Sequence, residues 1–237
     1  MTETTRRPAV QVTRPATRAE TFDEMLAELT AADAFAAALQ GKACTVWGAG
    51  TTETVMPARR WLAEADASDH AVLRRCVGAT VDIGCGPGRM THALQCLGVT
   101  TLGIDLVEDA VILARDRGAM ALQRDVFAEL PGEGRWETAL LADGNIGIGG
   151  DPVRLLRRAA SLLVDDGRIV VDLHVPGGAV RVHDIGLEVS GRRTARFPWA
   201  VVPADQIELL AEQVGLRVLD VVDHEGRWFA SLEKGPS

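Results

Sequence analysis

The feature that most constrains this 237-residue sequence is a glycine-rich stretch directly after a short apolar run. It reads Val81-Asp-Ile-Gly-Cys-Gly-Pro-Gly-Arg-Met90. Glycines let the backbone turn sharply and approach a ligand closely, and a helix that begins there offers unpaired N–H groups. The spacing differs from the G-x-G-x-x-G of the nicotinamide fingerprint. The stretch predicts a buried strand, a ligand-binding turn and a helix in direct succession.

From residue 79 onward, short apolar runs alternate with amphipathic segments, which is typical of a parallel sheet buried on both faces. Two last runs flank the turn His224-Glu-Gly-Arg227 and predict an antiparallel hairpin. We therefore predict an α/β fold: a seven-stranded, mostly parallel sheet with helices on both faces and a C-terminal antiparallel hairpin. The predicted strands are 81–83, 100–104, 120–123, 138–142, 168–173, 216–222 and 228–232, and the predicted helices are 89–97, 108–117, 152–163 and 203–214.

The first third of the chain reads differently. Residues 1–20 are rich in Thr, Arg and Pro and predict a flexible tail. A capping box at Thr21 predicts a helix through Gln40. An irregular stretch follows, and then a short helix capped by Ser68 or Asp69.

These patterns predict three parts: the tail, an N-terminal helical cap or lid over 21–78, and an α/β ligand-binding domain over 79–237. Residues 175–202 are expected to form an insertion on the substrate side of that domain.

Composition excludes several classes of function. The net charge is −8 and the arginines are scattered among acids, which argues against a nucleic-acid partner. The sequence contains no apolar stretch of 18 residues and no N-terminal signal pattern, so we expect a soluble protein without a membrane partner. The four cysteines form no C-x-x-C pair, which predicts reduced thiols, a cytoplasmic location and no bound metal.

Two acids near the glycine-rich stretch suggest a specific ligand. Asp82 lies inside a predicted strand, where a carboxylate is costly unless a cationic ligand or backbone donors pair with it. Asp105 ends the next strand, in Leu102-Gly-Ile-Asp-Leu106, where a carboxylate can accept hydrogen bonds from ribose hydroxyls. A helix cap is the alternative role for Asp105.

Residues 81–90 resemble motif I of the class I S-adenosylmethionine (SAM)-dependent methyltransferases, and 103–106 resembles their acidic motif II. The similarity extends over residues 79–233 and implies SAM as the cofactor. It implies that the motif I turn borders the methionine part of SAM, that Asp105 holds the ribose, and that Leu106 packs on the adenine. Arg124-Asp-Val126 resembles the adenine-edge segment, in which Asp125 accepts from the amino group and Val126 donates its N–H; Asp125 could instead cap a helix. The motif I residues assigned to the cofactor are Asp82, Gly84, Cys85, Gly86 and Gly88.

The family places residues that face both SAM and substrate after the fourth strand, here 142–150. We expect Asp143 beside the cofactor and Asn145 beside the substrate. The alternative is that the glycines of this segment only loop the chain into the next helix. The segment lacks the N/D-P-P-Y/F signature of relatives that methylate adenine or glutamine amide nitrogens, which argues against those substrates.

Methyl transfer from SAM mainly requires alignment of the reactants and exclusion of water, so a general base is optional. His174, just after the fifth strand, is the candidate base for a hydroxyl nucleophile; a surface or capping role is the alternative. His183 with Asp184 is a second candidate pair. Trp47, Arg60 and Trp199 are candidate substrate-binding residues; the alternatives are that the tryptophans pack the cap onto the sheet and that Arg60 is solvated.

The sequence thus predicts an enzyme that transfers a methyl group from S-adenosyl-L-methionine to a small-molecule acceptor, in specialised metabolism. The alternatives are a SAM-binding enzyme with another reaction, a non-catalytic ligand-binding protein and a nicotinamide-dependent oxidoreductase. The sequence leaves open which acceptor atom is methylated and whether the chain is a monomer or a homodimer.

Overall fold

Twelve strands and seven helices make up the computed structural model, which describes residues 28–48 and 54–235. The helices are α1 Ala31–Leu39, α2 Ala58–Leu62, α3 Ala67–Leu73, α4 Arg89–Cys96, α5 Glu108–Asp116, α6 Pro152–Leu162 and α7 Ile207–Glu212, with 3-10 segments at Asn145–Gly150 and Ala204–Gln206. The strands are β1 Cys44–Trp47, β2 Thr54–Val55, β3 Thr80–Ile83, β4 Thr101–Asp105, β5 Ala121–Gln123, β6 Trp136–Leu141, β7 Leu163–Leu173, β8 Arg181–Val189, β9 Arg192–Arg193, β10 Phe197–Val201, β11 Leu216–His224 and β12 Arg227–Lys234.

Seven of these strands form the large sheet, in the order β11-β12-β7-β6-β3-β4-β5. The strands from β7 to β5 are parallel to their neighbours. β12 is antiparallel to both β7 and β11, so the last two strands form the C-terminal hairpin. The predicted seven-stranded α/β fold with its terminal hairpin is confirmed.

The large sheet is buried on both faces, which explains its continuous apolar strands. Alternate residues of β6 point to opposite sides: Ala139 and Leu141 pack with α6, whereas Leu140 packs with α4. All four residues of β3, in the middle of the sheet, are buried. The turn that follows β3 is therefore anchored on the most protected part of the fold.

A second, antiparallel sheet has the order β10-β8-β1-β2, with β9 paired to β8; we call it the small sheet. β1 and β2 lie in the predicted helical cap, and β8 to β10 lie in the predicted insertion. The purely helical cap is therefore wrong, because the cap and the insertion share one sheet. Strands of four and two residues carry too little alternation to be recognised, and their partner β8 is distant in sequence.

Three helices differ from the predicted ones in where they begin, how they are capped or how long they are. α1 begins after Thr30, which has an extended backbone and forms a capping box with Asp33. The helix predicted from Thr21 to Gln40 is therefore not continuous, and its predicted start and the predicted tail lie outside the described residues. α3 is capped by Asp66, which shares a capping box with Asp69, and not by Ser68 or Asp69 as predicted. The predicted helix 203–214 is shorter, a 3-10 turn followed by α7.

None of the helices in the described ranges combines the length and the hydropathy of a membrane span. Within the same ranges, no group of three or more His, Cys, Asp or Glu side chains is arranged to hold a metal ion.

Helix α4, which starts at the glycine-rich turn, should be held in place by Leu94, a side chain that is 1% exposed. Leu94→Ala should lower the free energy of unfolding by about 2–5 kcal/mol, because it removes buried methylene groups and leaves a cavity. The measurement is urea denaturation. The matched control is Leu97→Ala at the end of the same helix, where the side chain is 60% exposed and the expected loss is below about 0.5 kcal/mol. Equal losses in both variants would contradict the packing described here.

Candidate cofactor and substrate site

A cavity of about 1130 Å³ lies between the carboxyl ends of the large-sheet strands and one face of the small sheet. Open α/β sheets bind ligands at the carboxyl ends of their strands. On the large-sheet side the lining comes from the turns after β3, β4, β5, β6 and β7. On the other sides it comes from α1, α2, β1, β8 and β10.

One part of the glycine-rich turn faces the cavity, and another part packs against α5. Gly84, Gly86 and Gly88 all have left-handed backbone conformations, with φ of 71°, 54° and 79°. A Cβ added to Gly86 would meet no atom within 4 Å, so the backbone there is open to a ligand. A Cβ on Gly88 would lie 2.8 Å from the Cβ of Ala114, so Gly88 allows close packing of α5. Gly88 is not among the described residues that line the cavity.

Asp82 reaches the cavity from the centre of the large sheet and is 1% exposed. Its Oδ2 accepts a hydrogen bond of 2.6 Å from the Thr91 hydroxyl. Its Oδ1 has no partner among the described residues. Burial raises the pKa of the carboxyl to about 7. An unpartnered buried carboxylate oxygen suits a cationic group such as the ammonium of a bound amino acid.

Cys85 is buried beside this carboxylate and also lines the cavity. Burial raises the pKa of its thiol well above the ordinary value, and the nearby Asp82 and Asp105 carboxylates act in the same direction. Cys85 therefore presents a protonated, unreactive thiol to a ligand in the turn.

Asp105 fixes the turn and the start of α5 at once. Its Oδ2 accepts from the Gly86 N–H at 2.9 Å, and its Oδ1 accepts from the Val107 N–H at 2.8 Å. Burial raises the pKa of this carboxyl. Each carboxylate oxygen can accept a second hydrogen bond, so ribose hydroxyls can bind without displacing the backbone donors. The N-cap of α5 is Val107 and no described side chain caps this helix, so the alternative role of Asp105 as a helix cap is wrong.

The segment assigned to the adenine edge lies at the next strand end. Leu106 is 59% exposed and lines the cavity. Its apolar side chain can therefore pack on the flat face of a bound base. Asp125 Oδ1 accepts from the Phe127 N–H at 2.9 Å, whereas its Oδ2 has no hydrogen bond among the described residues. No helix begins at this point, so the alternative role of Asp125 as a helix cap is wrong. Val126 is buried and also borders the cavity.

The residues present fit SAM: an open backbone at Gly86, an orphaned carboxylate oxygen at Asp82, spare acceptor capacity at Asp105 and an exposed apolar surface at Leu106. These features occur in the order in which the amino acid, the ribose and the base of SAM require them.

Asn145 and Asp143 line the cavity, and the structure gives both of them protein partners. Asn145 Nδ2 donates to the Ile83 and Gly84 carbonyls, each at 2.8 Å, which ties the loop after β6 to the end of β3. Asp143 has a positive φ of 52° and its carboxylate pairs with Arg89. The contacts predicted for them, cofactor for Asp143 and substrate for Asn145, stay predictions.

A buried charge cluster beside the cavity was not foreseen. Arg89, 3% exposed, pairs with Asp69 and Asp143, and Arg227 pairs with Asp69 and Asp172. Burial opposes the ionisation of Asp69, yet hydrogen bonds from both arginines lower its pKa to about 2. No spacing in the sequence points to the cluster, because its members come from α3, α4, β7, β12 and the loop after β6. The cluster is recognised by the burial of acids beside arginines, and this burial becomes evident only from the fold.

Arg60, a predicted substrate-binding residue, lines the cavity but also joins this cluster. It lies 3.2 Å from Asp69, 3.3 Å from Asp66 and 3.8 Å from Asp143. Its guanidinium therefore ties α2 to the start of α3, and a role in substrate binding stays a prediction.

Trp199 lines the cavity as expected, but Trp47 is not among the described lining residues. Neighbouring residues of a strand point to opposite faces, so Val46 of β1 faces the cavity and Trp47 faces outward. There the guanidinium groups of Arg193 and Arg196 each lie 4.9 Å from the Trp47 ring. The substrate-binding role predicted for Trp47 does not match this position.

His174 lines the cavity and is exposed there. Its N–H donates to the Val202 carbonyl and its carbonyl accepts from the Ala204 N–H, both at 2.9 Å. The backbone thus fixes His174 at the carboxyl end of β7. His183 on β8 also lines the cavity, but Asp184 points to the outer face beside Arg196. The proposed pairing of His183 with Asp184 as an orienting acid is therefore wrong.

Comparison with known proteins supports the same class. Residues 81–171 match a family described as a methyltransferase domain. No curated protein is similar enough in sequence to match the chain. A SAM-dependent methyltransferase from Bacteroides fragilis, crystallised with S-adenosyl-L-homocysteine, superimposes with a TM-score of 0.74 at 20% identity. That alignment covers 89% of this chain and 98% of that one.

Two further solved structures share the fold. The 1,6-didemethyltoxoflavin-N1-methyltransferase of Burkholderia thailandensis has a TM-score of 0.60 at 18% identity, over 98% of this chain and 99% of that one. The CcbJ methyltransferase of Streptomyces caelestis has a TM-score of 0.55 at 16% identity, over 75% of this chain and 92% of that one.

The fold and the site define a nucleotide-binding α/β enzyme of the methyltransferase type. The family match adds the class over its own range: residues 81–171 form a methyltransferase domain, and the site residues fit S-adenosyl-L-methionine as the cofactor. The prediction of family, enzyme class and cofactor from the sequence is confirmed.

Asp105→Ala should weaken the binding of S-adenosylhomocysteine by about tenfold to a hundredfold. A hydrogen bond to a charged group contributes about 1.5–3 kcal/mol, and 1.4 kcal/mol is a factor of ten in affinity. Isothermal titration calorimetry measures the change. Asp109→Ala, in the first turn of α5 just after Asp105 and outside the cavity lining, is the matched control and should bind as the unaltered protein does. Unchanged affinity in Asp105→Ala would remove this residue from the site.

The affinity for S-adenosylhomocysteine should fall as the pH drops below about 7, by up to about tenfold per pH unit, because Asp82 must ionise to pair with the ligand's ammonium group. The ligand-free protein should show the opposite trend. Its Asp82 pKa is raised above the ordinary value of 3.8, so the stability linked to this group is present below pH 3.8 and is lost as the pH rises through about 7.

Calorimetry and denaturant unfolding at pH 5.5 to 8.5 test both trends. Asp82→Asn, which keeps the shape of the side chain, should flatten both. If its pH profiles match those of the unaltered protein, the titrating group lies elsewhere.

Proposed function

We propose that this enzyme methylates a small molecule that binds between the cofactor and the small sheet. The observation that carries the proposal is one continuous cavity that joins the glycine-rich turn to the inner face of the small sheet. Pockets for a single drug-sized ligand occupy about 300–1,000 Å³. A cavity of about 1130 Å³ has room for a cofactor and a small acceptor side by side.

The walls of the acceptor side are mainly apolar. Phe35 of α1 and Trp61 of α2 stack with their ring centroids 6.1 Å apart, and both line the cavity together with Phe197 and Trp199. Apolar and aromatic walls with few polar groups are typical of small-molecule sites. The net charge of −8 also disfavours a nucleic-acid substrate.

One structural relative supports a small acceptor. The Burkholderia thailandensis enzyme was crystallised with 1,6-didemethyltoxoflavin and S-adenosylhomocysteine bound. Its alignment covers 98% of this chain, so it includes the segments that form the small sheet and α1. A role in specialised metabolism is part of the proposal.

When bound, SAM supplies a methyl group on a sulfonium: a lone pair of the acceptor bonds to the methyl carbon while the carbon–sulfur bond breaks and its electron pair stays on sulfur. The chain aligns the two reactants, which can supply about 7–11 kcal/mol. The turn and Asp105 fix the nucleoside, Asp82 pairs with the ammonium group, and the apolar walls exclude water.

His174 is the proposed general base for a hydroxyl acceptor. It lines the cavity at the carboxyl end of β7, and its backbone is held on both sides by hydrogen bonds to the chain beyond β10. In this role a ring nitrogen of His174 accepts the hydroxyl proton and passes it to solvent.

A cytoplasmic location is also proposed, because all four cysteines lie in the described ranges as free thiols.

Release of S-adenosylhomocysteine from SAM, measured by mass spectrometry across a panel of small hydroxyl and amine compounds, tests the function. We expect turnover with at least one compound, and a lower rate in Asp105→Ala at a SAM concentration that just saturates the unaltered enzyme. With a hydroxyl acceptor, His174→Asn should lower kcat by about 10²–10⁴-fold while the affinity for S-adenosylhomocysteine stays unchanged.

Arg157→Gln, on the exposed face of α6 and outside the cavity lining, should retain full activity. Conversion of a panel compound in the presence of SAM to a product that carries no added methyl group would instead indicate a SAM-binding enzyme with another reaction. Full activity of His174→Asn with a hydroxyl acceptor would show that this residue is not the base.

A further inference from the structure

The inner face of the small sheet carries an ordered row of side chains. Arg181, His183 and Ile185 alternate along β8, and all three line the cavity. On β10 they are paired with Val201, Trp199 and Phe197, respectively, which line the cavity too. Directly opposite residues of antiparallel strands lie about 4.5–5.5 Å apart, so these side chains form three cross-strand pairs. The row runs from apolar at Phe197 and Ile185 to cationic at Arg181.

The acids of β8 lie on the other face. Asp184 is 3.8 Å from the Arg196 guanidinium, and Glu188 is 2.6 Å from the Arg193 guanidinium, on the outer side of the sheet. Among the described residues of β1, β8 and β10, those that line the cavity include no carboxylate. The alternation of β8 thus places positive charge inward and negative charge outward.

The cofactor side of the cavity carries more carboxylates than arginines, four against Arg89 and Arg124. The carboxylates in its described lining are Asp82, Asp105, Asp125 and Asp143, which all belong to the large sheet or to the loops directly after its strands. This arrangement suits the positive charges of SAM. The cavity is therefore acidic where the cofactor binds and basic where the acceptor must bind.

Arg181 is the charge on the acceptor side that has no ion-pair partner among the described residues. The other arginines near this end, Arg60 and Arg89, are paired with Asp69 and Asp143. A guanidinium remains charged at any physiological pH and can hold a carboxylate with two parallel hydrogen bonds.

Trp199 provides a rigid flat wall next to this charge. Its indole packs against Gly147 so closely that a Cβ there would lie 2.5 Å from Nε1. The 3-10 segment that contains Gly147 thus restricts the movement of the ring. Flat ligands gain from offset stacking or edge contacts on such a ring.

Resting on the proposed function, we propose that the acceptor is a planar aromatic or heteroaromatic molecule with an anionic group. Its ring lies along Trp199, and its negative charge is held by Arg181 beside His183. The negative charge of the acceptor complements both Arg181 and the sulfonium of the cofactor, so both reactants are drawn into one cavity.

The test is calorimetric binding of simple probes to the enzyme saturated with S-adenosylhomocysteine. The probes are 2-naphthoate, its neutral isostere 2-naphthamide and the non-planar anion cyclohexanecarboxylate. We expect 2-naphthoate to bind about tenfold more tightly than either of the others, because it alone has both the ring and the charge. In Arg181→Gln the preference for 2-naphthoate over 2-naphthamide should fall below about twofold.

Arg157→Gln is the matched control, since this exposed arginine lies outside the cavity lining, and it should keep the full preference. Trp199→Phe, which keeps a flat ring, should keep most of the preference for 2-naphthoate over cyclohexanecarboxylate, whereas Trp199→Leu should lose it. Trp199→Leu can also disturb packing. The role of the negative charge is therefore tested by Arg181→Gln, and the role of a flat ring by Trp199→Phe.

The proposal is overturned if 2-naphthamide binds as tightly as 2-naphthoate, if no planar probe binds, or if the preference for the anion survives Arg181→Gln. Binding of S-adenosylhomocysteine is measured first. Its failure would refute the cofactor site and the proposed function, whereas normal cofactor binding without a preference for the anion would refute only the acceptor class.

Discussion

The buried charge cluster of Asp69, Arg89, Asp143, Asp172 and Arg227 holds the two halves of the site together. Asp69 comes from the cap, and its partners come from the helix after the glycine-rich turn and from the last strand. A buried pair of this kind adds little net stability compared with apolar packing. Removal of one partner, however, leaves an unpaired buried charge and lowers the free energy of unfolding by about 3–5 kcal/mol. The cluster thus fixes the position of the cap relative to the sheet more than it strengthens the fold, and the cavity between them keeps its shape.

The local parts of the fold could be predicted from the sequence because their signals are local. The glycine-rich turn, the strand before it and Asp105 lie within a short stretch, and the structure places them together at one strand edge. The hairpin followed from two apolar runs and a short turn. For the same reason the class of enzyme and its cofactor were recognised correctly.

The parts that failed depend on partners distant in sequence. β1 has four residues, and it is a strand because β8 pairs with it through Cys44 to Trp47. Without that pairing the face on which Trp47 lies cannot be assigned, so its predicted substrate role was wrong. The same limit explains why Arg89 carried no predicted role: its two carboxylate partners lie in separate segments, and one of them was interpreted as a helix cap.

The position of Arg227 has a consequence for how the protein is made. This residue begins the final strand, yet its guanidinium pairs with Asp69 near the other end of the described chain. Chains fold while they leave the ribosome from the N-terminus onward. Asp69 therefore emerges early, whereas its counter-ion Arg227 follows 158 residues later, so the site should reach its working shape only after β12 has emerged.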